Sequence, residues 1–132
     1  MKFIGVLILM VVSVSALALS RPVCRNEKFV GAVVTQALGC ENDGAMDFCL
    51  PRGDLALQAR LAVQYPNIVC FNGSQSRGRA ECDSLDGEVL CLYKISRDEC
   101  ASRTAMTDAG WDRFCSFTQL DVVERIAPNW AE

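Results

Sequence analysis

Eight cysteines carry most of the chemistry that the residue types allow: Cys24, Cys40, Cys49, Cys70, Cys82, Cys91, Cys100 and Cys115. Thiols can ligate a metal, exchange with disulfides, or pair for good. Structural zinc uses Cys-x2–4-Cys knuckles, and no two cysteines here are separated by fewer than eight residues. A Cys-x-x-Cys redox pair is also missing. The chain has no His, which removes Ser-His and Cys-His nucleophiles and the commonest zinc ligand. Two carboxylates could hydrolyse a glycosidic bond, but with 16 Asp+Glu some pair is inevitable and marks nothing. Beyond Lys2 the lysines are Lys28 and Lys94, and no motif sets either beside a serine base partner. The residue types therefore predict a non-enzymatic protein with no cofactor and no metal. Its even cysteine count predicts four bridges, with 105 connectivities open.

Other short motifs carry binding chemistry. Arg52-Gly53-Asp54 sets a guanidinium and a carboxylate on either side of a turn-permitting glycine. It resembles the tripeptide by which secreted proteins engage integrins. That resemblance implies a carboxylate completing a receptor-bound cation's oxygen shell and an Arg meeting receptor carboxylates. The resemblance covers three residues, and Asp54 equally suits a helix N-cap. Asn72-Gly73-Ser74 is an N-glycosylation sequon in a loop-like stretch. Glu41, Asp43 and Asp47 surround Gly44, while Asp83, Asp86 and Glu88 surround Gly87. Neither set is an EF-hand loop, because Leu50 and Tyr93 stand where the twelfth-position Glu belongs. Turn chemistry is the expected use of both. Trp111, Phe114, Phe117 and Trp130 could form an aromatic patch, but helical spacing places Trp111 and Phe114 in a core.

Residues 1–18 read as a cleaved signal peptide. Lys2 supplies the positive start, Phe3 to Val14 an apolar run, and Ala16-Leu17-Ala18 a small-x-small cleavage site. The run is shorter than the roughly 20 residues of a spanning helix. Residues 19–132 then form a single domain with no membrane span. Removing Lys2 lowers the formal net charge by one from −3. A mildly acidic chain with scattered basic residues offers no face for nucleic acid. Export and eight cysteines together predict a secreted, disulfide-stapled protein.

Helices are expected near 26–38, 54–64 and 108–126. Phe29, Val30, Val33, Val34, Ala37 and Leu38 recur at helical spacing after Asn26, with Gly39 as a stop. Asp54 and Thr107 are the other N-cap candidates. Thr118-x-x-Asp121 offers a restart within the last helix. Residues 82–95 fit a helical face or a turn at Asp86-Gly87 followed by a strand. Cys40-x8-Cys49 and Cys82-x8-Cys91 each contain an Asp-Gly pair, but Cys24 and Cys70 do not share the offset, so the likeness reads as coincidence. The fold expected is a mainly α disulfide-rich domain; the alternative is α+β with a short antiparallel hairpin within 67–95. The function expected is that of an extracellular effector of the toxin, waterborne-signal or defence type. Its expected partner is an extracellular protein or cell-surface receptor. Integrin-based adhesion and a structural role in a matrix or coat are the alternatives.

Overall fold

A computed structural model describes residues 20–129. The signal peptide expected over 1–18 and the aromatic Trp130 lie outside the described residues. The chain builds β1 (Ala45–Pro51), α1 (Leu55–Gln64), β2 (Ile68–Cys70), β3 (Glu88–Lys94), α2 (Asp108–Thr118) and β4 (Ile126–Pro128). The four strands form one antiparallel sheet in the order β2-β3-β1-β4. This overturns the mainly α expectation: the protein is a small disulfide-rich α+β domain. Among the described residues no helix is long and apolar enough to cross a membrane.

Strand alternation decides what each side chain meets. Met46, Phe48 and Leu50 of β1 share a face with Val89, Cys91 and Tyr93 of β3, and with Ile68 of β2. Both helices pack on that face. α2 presents Gly110, Phe114, Phe117 and Thr118, the i, i+4, i+7, i+8 stripe of a buried helix. Phe117 meets Phe48 edge-on at 4.9 Å, lies 4.6 Å from Tyr93, and is 5.5 Å from Tyr65 at the end of α1. The opposite face carries Asp47, Cys49 and Leu90. Ala127 of β4, opposite Asp47, lies on this face too, and the loop bearing Ala80 and Cys82 covers it.

One predicted helix is absent and another is cut short, for identifiable reasons. Residues 26–38 form only a short 3-10 turn, Asn26–Lys28. Phe29 then bridges to Ile126, and the Val30 amide donates to the Ile126 carbonyl. Phe29 stacks on Phe114 on the helical side, whereas Val30 packs with Cys49 and Ala80 on the other. A helix cannot send two successive residues to opposite sides of a sheet. Gly31, at φ +84, breaks the segment there. In the third predicted helix, α2 stops at Thr118. Val123 and Ile126 do reach the core, but through a turn and then β4, where pairing with β1 takes over. Thr118 does not restart a helix; its hydroxyl donates to the Cys115 carbonyl and accepts the Arg25 amide. Pro128 is tolerated because β4 lies at the sheet edge.

The ambiguous stretch 82–95 contains β3. Asp86-Gly87 precedes it, with Gly87 at φ +92, as Asp43-Gly44 precedes β1 with Gly44 at φ +63. The two similar cysteine segments thus share a strand entry. β2 and β3 pair antiparallel, but residues 71–87 connect them rather than a tight hairpin turn.

All eight cysteines pair: Cys24–Cys115, Cys40–Cys100, Cys49–Cys82 and Cys70–Cys91. Two bridges nest around an interlaced inner pair. Cys70 and Cys91 stand opposite each other on β2 and β3. Cys49–Cys82 pins the covering loop to the second sheet face.

Candidate functional site

The turn between β1 and α1 holds Arg52, Gly53 and Asp54. Gly53 takes φ +83, a conformation L side chains rarely adopt, and open space surrounds it. The Arg52 guanidinium donates to the carbonyls of Asn72, Ser74 and Glu88 at 3.0–3.1 Å. It ties the 72–74 loop and the start of β3 to the tripeptide turn. Asp54 caps α1: its Oδ1 accepts the Leu57 amide at 3.0 Å. Both charged ends of the tripeptide are thus engaged within the molecule. Gly53 and Asp54 nevertheless lie exposed at the surface.

Asn72 is exposed, and its side-chain amide pairs reciprocally with Gln58 of α1 at 2.8 and 2.9 Å. The sequon therefore sits against the helix that the tripeptide starts. Tripeptide, sequon loop and α1 form one continuous surface.

The α1 part of that surface is largely apolar, with Arg60 exposed among the aliphatic side chains. α1 directs Leu57 and Leu61 inward, one turn apart. On its outer side Leu55 is 63% exposed and Val63 84%, with Ala56, Ala59 and Ala62 exposed between them. The spacing is again i, i+4, i+7, i+8, but it faces water. Val69 and Phe71 are also exposed at this sheet edge, but Val69 alternates with Ile68 and so points to the face away from the helices. A shallow groove of about 290 Å³ runs between helix and edge, lined by Leu55, Ala59, Ala62, Ile68 and Cys70, with Gln58 at its rim. Reading the sequence identified the helix but missed this face. The available signal was that α1 is apolar on two sides, whereas a single core stripe needs one.

Asp47 is buried on the second sheet face and accepts the Arg79 amide at 2.7 Å, apart from Glu41 and Asp43 at the entry to β1. Asp83 Oδ1 accepts the amides of Asp86 and Leu85, and the Asp86 bond above all holds its carboxyl below the ordinary range. Glu88 accepts the Asp83 amide and pairs with Arg125. Both acidic sets are thereby distributed over turns, strand ends and, for Asp47, the buried face of β1. Lys28 donates to the Leu120 carbonyl, and burial is the main cause of its lowered pKa. Phe114 and Phe117 are core; Trp111 packs at the edge of that core against Phe114. Near the core, Glu99 closes a capping box with Ser96, while its second oxygen has no hydrogen-bond partner. The Tyr93 hydroxyl is likewise unpartnered, and burial raises its pKa to about 12.

Comparison with protein-family models, curated proteins and solved structures finds no match.

Proposed function

We propose that the chain is a secreted, non-enzymatic binding protein that engages an extracellular or cell-surface protein through the outer face of α1 and the neighbouring sheet edge. The observation that carries this reading is the solvent-facing stripe of Leu55, Ala59, Ala62 and Val63 on a domain held by four bridges. Contiguous exposed apolar side chains mark interaction surfaces, and keeping them in water costs solubility without aiding the core. The bridges suit an oxidising, extracellular setting and keep the face rigid, so little ordering is lost on contact.

A second reading has its own observation. The turn holding Gly53 and Asp54 is exposed and opens directly onto this apolar face. Adhesion through Arg52-Gly53-Asp54 would require the guanidinium to leave three carbonyls, or the receptor to read the turn and carboxylate alone.

The test uses labelled, fully oxidised protein on cells of its source tissue. The double substitution Leu55→Asp with Val63→Asp should abolish saturable binding while leaving the far-ultraviolet spectrum and thiol count unchanged. Wild-type binding by that variant overturns the α1-face reading. Loss of cell attachment on Asp54→Glu, with the double variant still attaching, selects the adhesion reading instead.

A further inference from the structure

A separate cleft of about 470 Å³ opens beside the Cys40–Cys100 bridge, away from α1. Its apolar wall is Ile95, Ala101 and the bridge itself; its polar wall is Arg97, Ser102, Arg103 and Asp43. That size suits a small organic molecule.

The walls are fixed without a ligand. The Ser96–Glu99 capping box anchors the segment entering the cleft. Cys100 bridges to Met106 across the far loop, and the Cys40 amide donates to the Thr104 carbonyl at 2.8 Å. The Met106 amide is held by the Gln36 carbonyl at 2.8 Å. Packing is close enough that a Cβ on Gly39 would fall 2.2 Å from the Met106 sulfur. On the opposite side, a Cβ on Gly44 would fall 2.7 Å from Ile95. Asn42, Asp43 and Gly44 all take positive φ there, which turns the chain tightly enough to place Asp43 on the rim.

The charges are unbalanced. Arg97 and Arg103 are exposed, and neither guanidinium has a hydrogen bond or ion pair with the other described residues. By contrast Arg52, Arg113 and Arg125 are engaged. Two cations therefore face the cleft against one carboxylate, Asp43. Ser102 Oγ accepts the amides of Thr104 and Ala105, which leaves its proton free to donate into the space. Guanidinium pairs and a hydroxyl donor are the complement of an oxyanion. The apolar wall is the complement of a hydrocarbon or aromatic body.

We infer that this cleft binds a small organic anion, with a carboxylate or sulfonate head at Arg97, Arg103 and Ser102 and an apolar body against Ile95 and the Cys40–Cys100 bridge. The inference is independent of the α1 face.

The probe is 1-anilinonaphthalene-8-sulfonate, titrated by fluorescence into the oxidised full chain beside its uncharged analogue N-phenyl-1-naphthylamine. The sulfonate should bind at one site. Arg97→Gln with Arg103→Gln should weaken it about tenfold, the scale of lost charge-assisted bonds, and change the uncharged probe less than about twofold. Leu55→Asp with Val63→Asp should leave the sulfonate's affinity intact, which separates this cleft from the α1 face. Because both arginines are exposed, the variant should keep its thiol count and circular dichroism. Unchanged sulfonate affinity in the arginine variant, loss of it in the α1 variant, or no binding by the wild type overturns the inference.

Discussion

At the scale of single residues, Asp47 is the most consequential buried charge. It is 4% exposed, on the sheet face covered by the 71–87 connection. Burial pushes its carboxyl above the ordinary 3.8; the Arg79 amide bond and the Arg79 charge pull part of that back. A carboxyl raised in the folded state holds its proton more tightly than in the unfolded chain. Its contribution therefore makes stability fall as pH rises from 3.8 through the raised folded value. Asp47→Asn keeps a carbonyl acceptor for the Arg79 amide and removes the charge. The melting temperature of the variant minus that of the wild type should grow as pH rises from about 3.5 to about 6.5. A pH-independent difference would contradict this. Sequence gives no hint of it, since Asp47 sits among other acids near a glycine, like any solvated turn. Arg52 is equally opaque: its carbonyl partners lie at residues 72, 74 and 88, and only the folded sheet brings them together. The N-caps Asp54 and Thr107 were readable, because a cap depends on the few residues that follow it.

At the scale of elements, those caps can be weighed. Asp54 accepts the Leu57 amide and Thr107 accepts the Gly110 amide. Asp54→Ala and Thr107→Ala should each lower unfolding free energy by about 1 kcal/mol in urea titrations. Asp54→Asn should recover most of its loss. No change from either alanine variant would remove capping as the reason these helices start where they do. Local signals of this kind located α1 and the start of α2. They failed where long-range pairing decides. Residues 26–38 carry a helical stripe, yet Phe29 and Val30 are drawn to opposite sides of the sheet by Ile126. Val123 and Ile126 looked like the end of a helix because core positions in a turn-then-strand path can mimic helical spacing. β3 was undecidable from periodicity, because the hydrogen bonds that make it a strand come from β1, far earlier in the chain.

At the scale of the whole molecule, the cysteine count and its even parity were readable, while the pairing was not. Pairing follows from which strands meet, and the strand order puts the chain's last strand beside its first. The bridges differ in how much chain they enclose: 91 residues of separation for Cys24–Cys115 against 21 for Cys70–Cys91. With Cys40–Cys100 intact inside it, the outer bridge closes only the two arms flanking that bridge, still more chain than the Cys70–Cys91 loop, so loop-closure entropy makes it the stronger restraint by about 0.3 kcal/mol. Replacing Cys24 and Cys115 by serine should therefore lower the urea midpoint further than replacing Cys70 and Cys91. The reverse order would show that packing around the cross-strand bridge, not chain restriction, sets its value.

The nested bridges also impose an order in time. A chain threaded from its N-terminus into an oxidising compartment exposes Cys24 and Cys40 first, yet neither native partner follows until Cys100 and Cys115 have emerged. Cys49–Cys82 is the first bridge whose two halves are both available, then Cys70–Cys91. In such a compartment native bridge formation would run from the middle of the chain outward. Meanwhile the two earliest thiols are at risk of joining each other, and undoing that error needs thiol–disulfide exchange, which takes seconds to hours. Yield of this protein in a heterologous host should be governed by the isomerase supply of its secretory pathway more than by the strength of its fold.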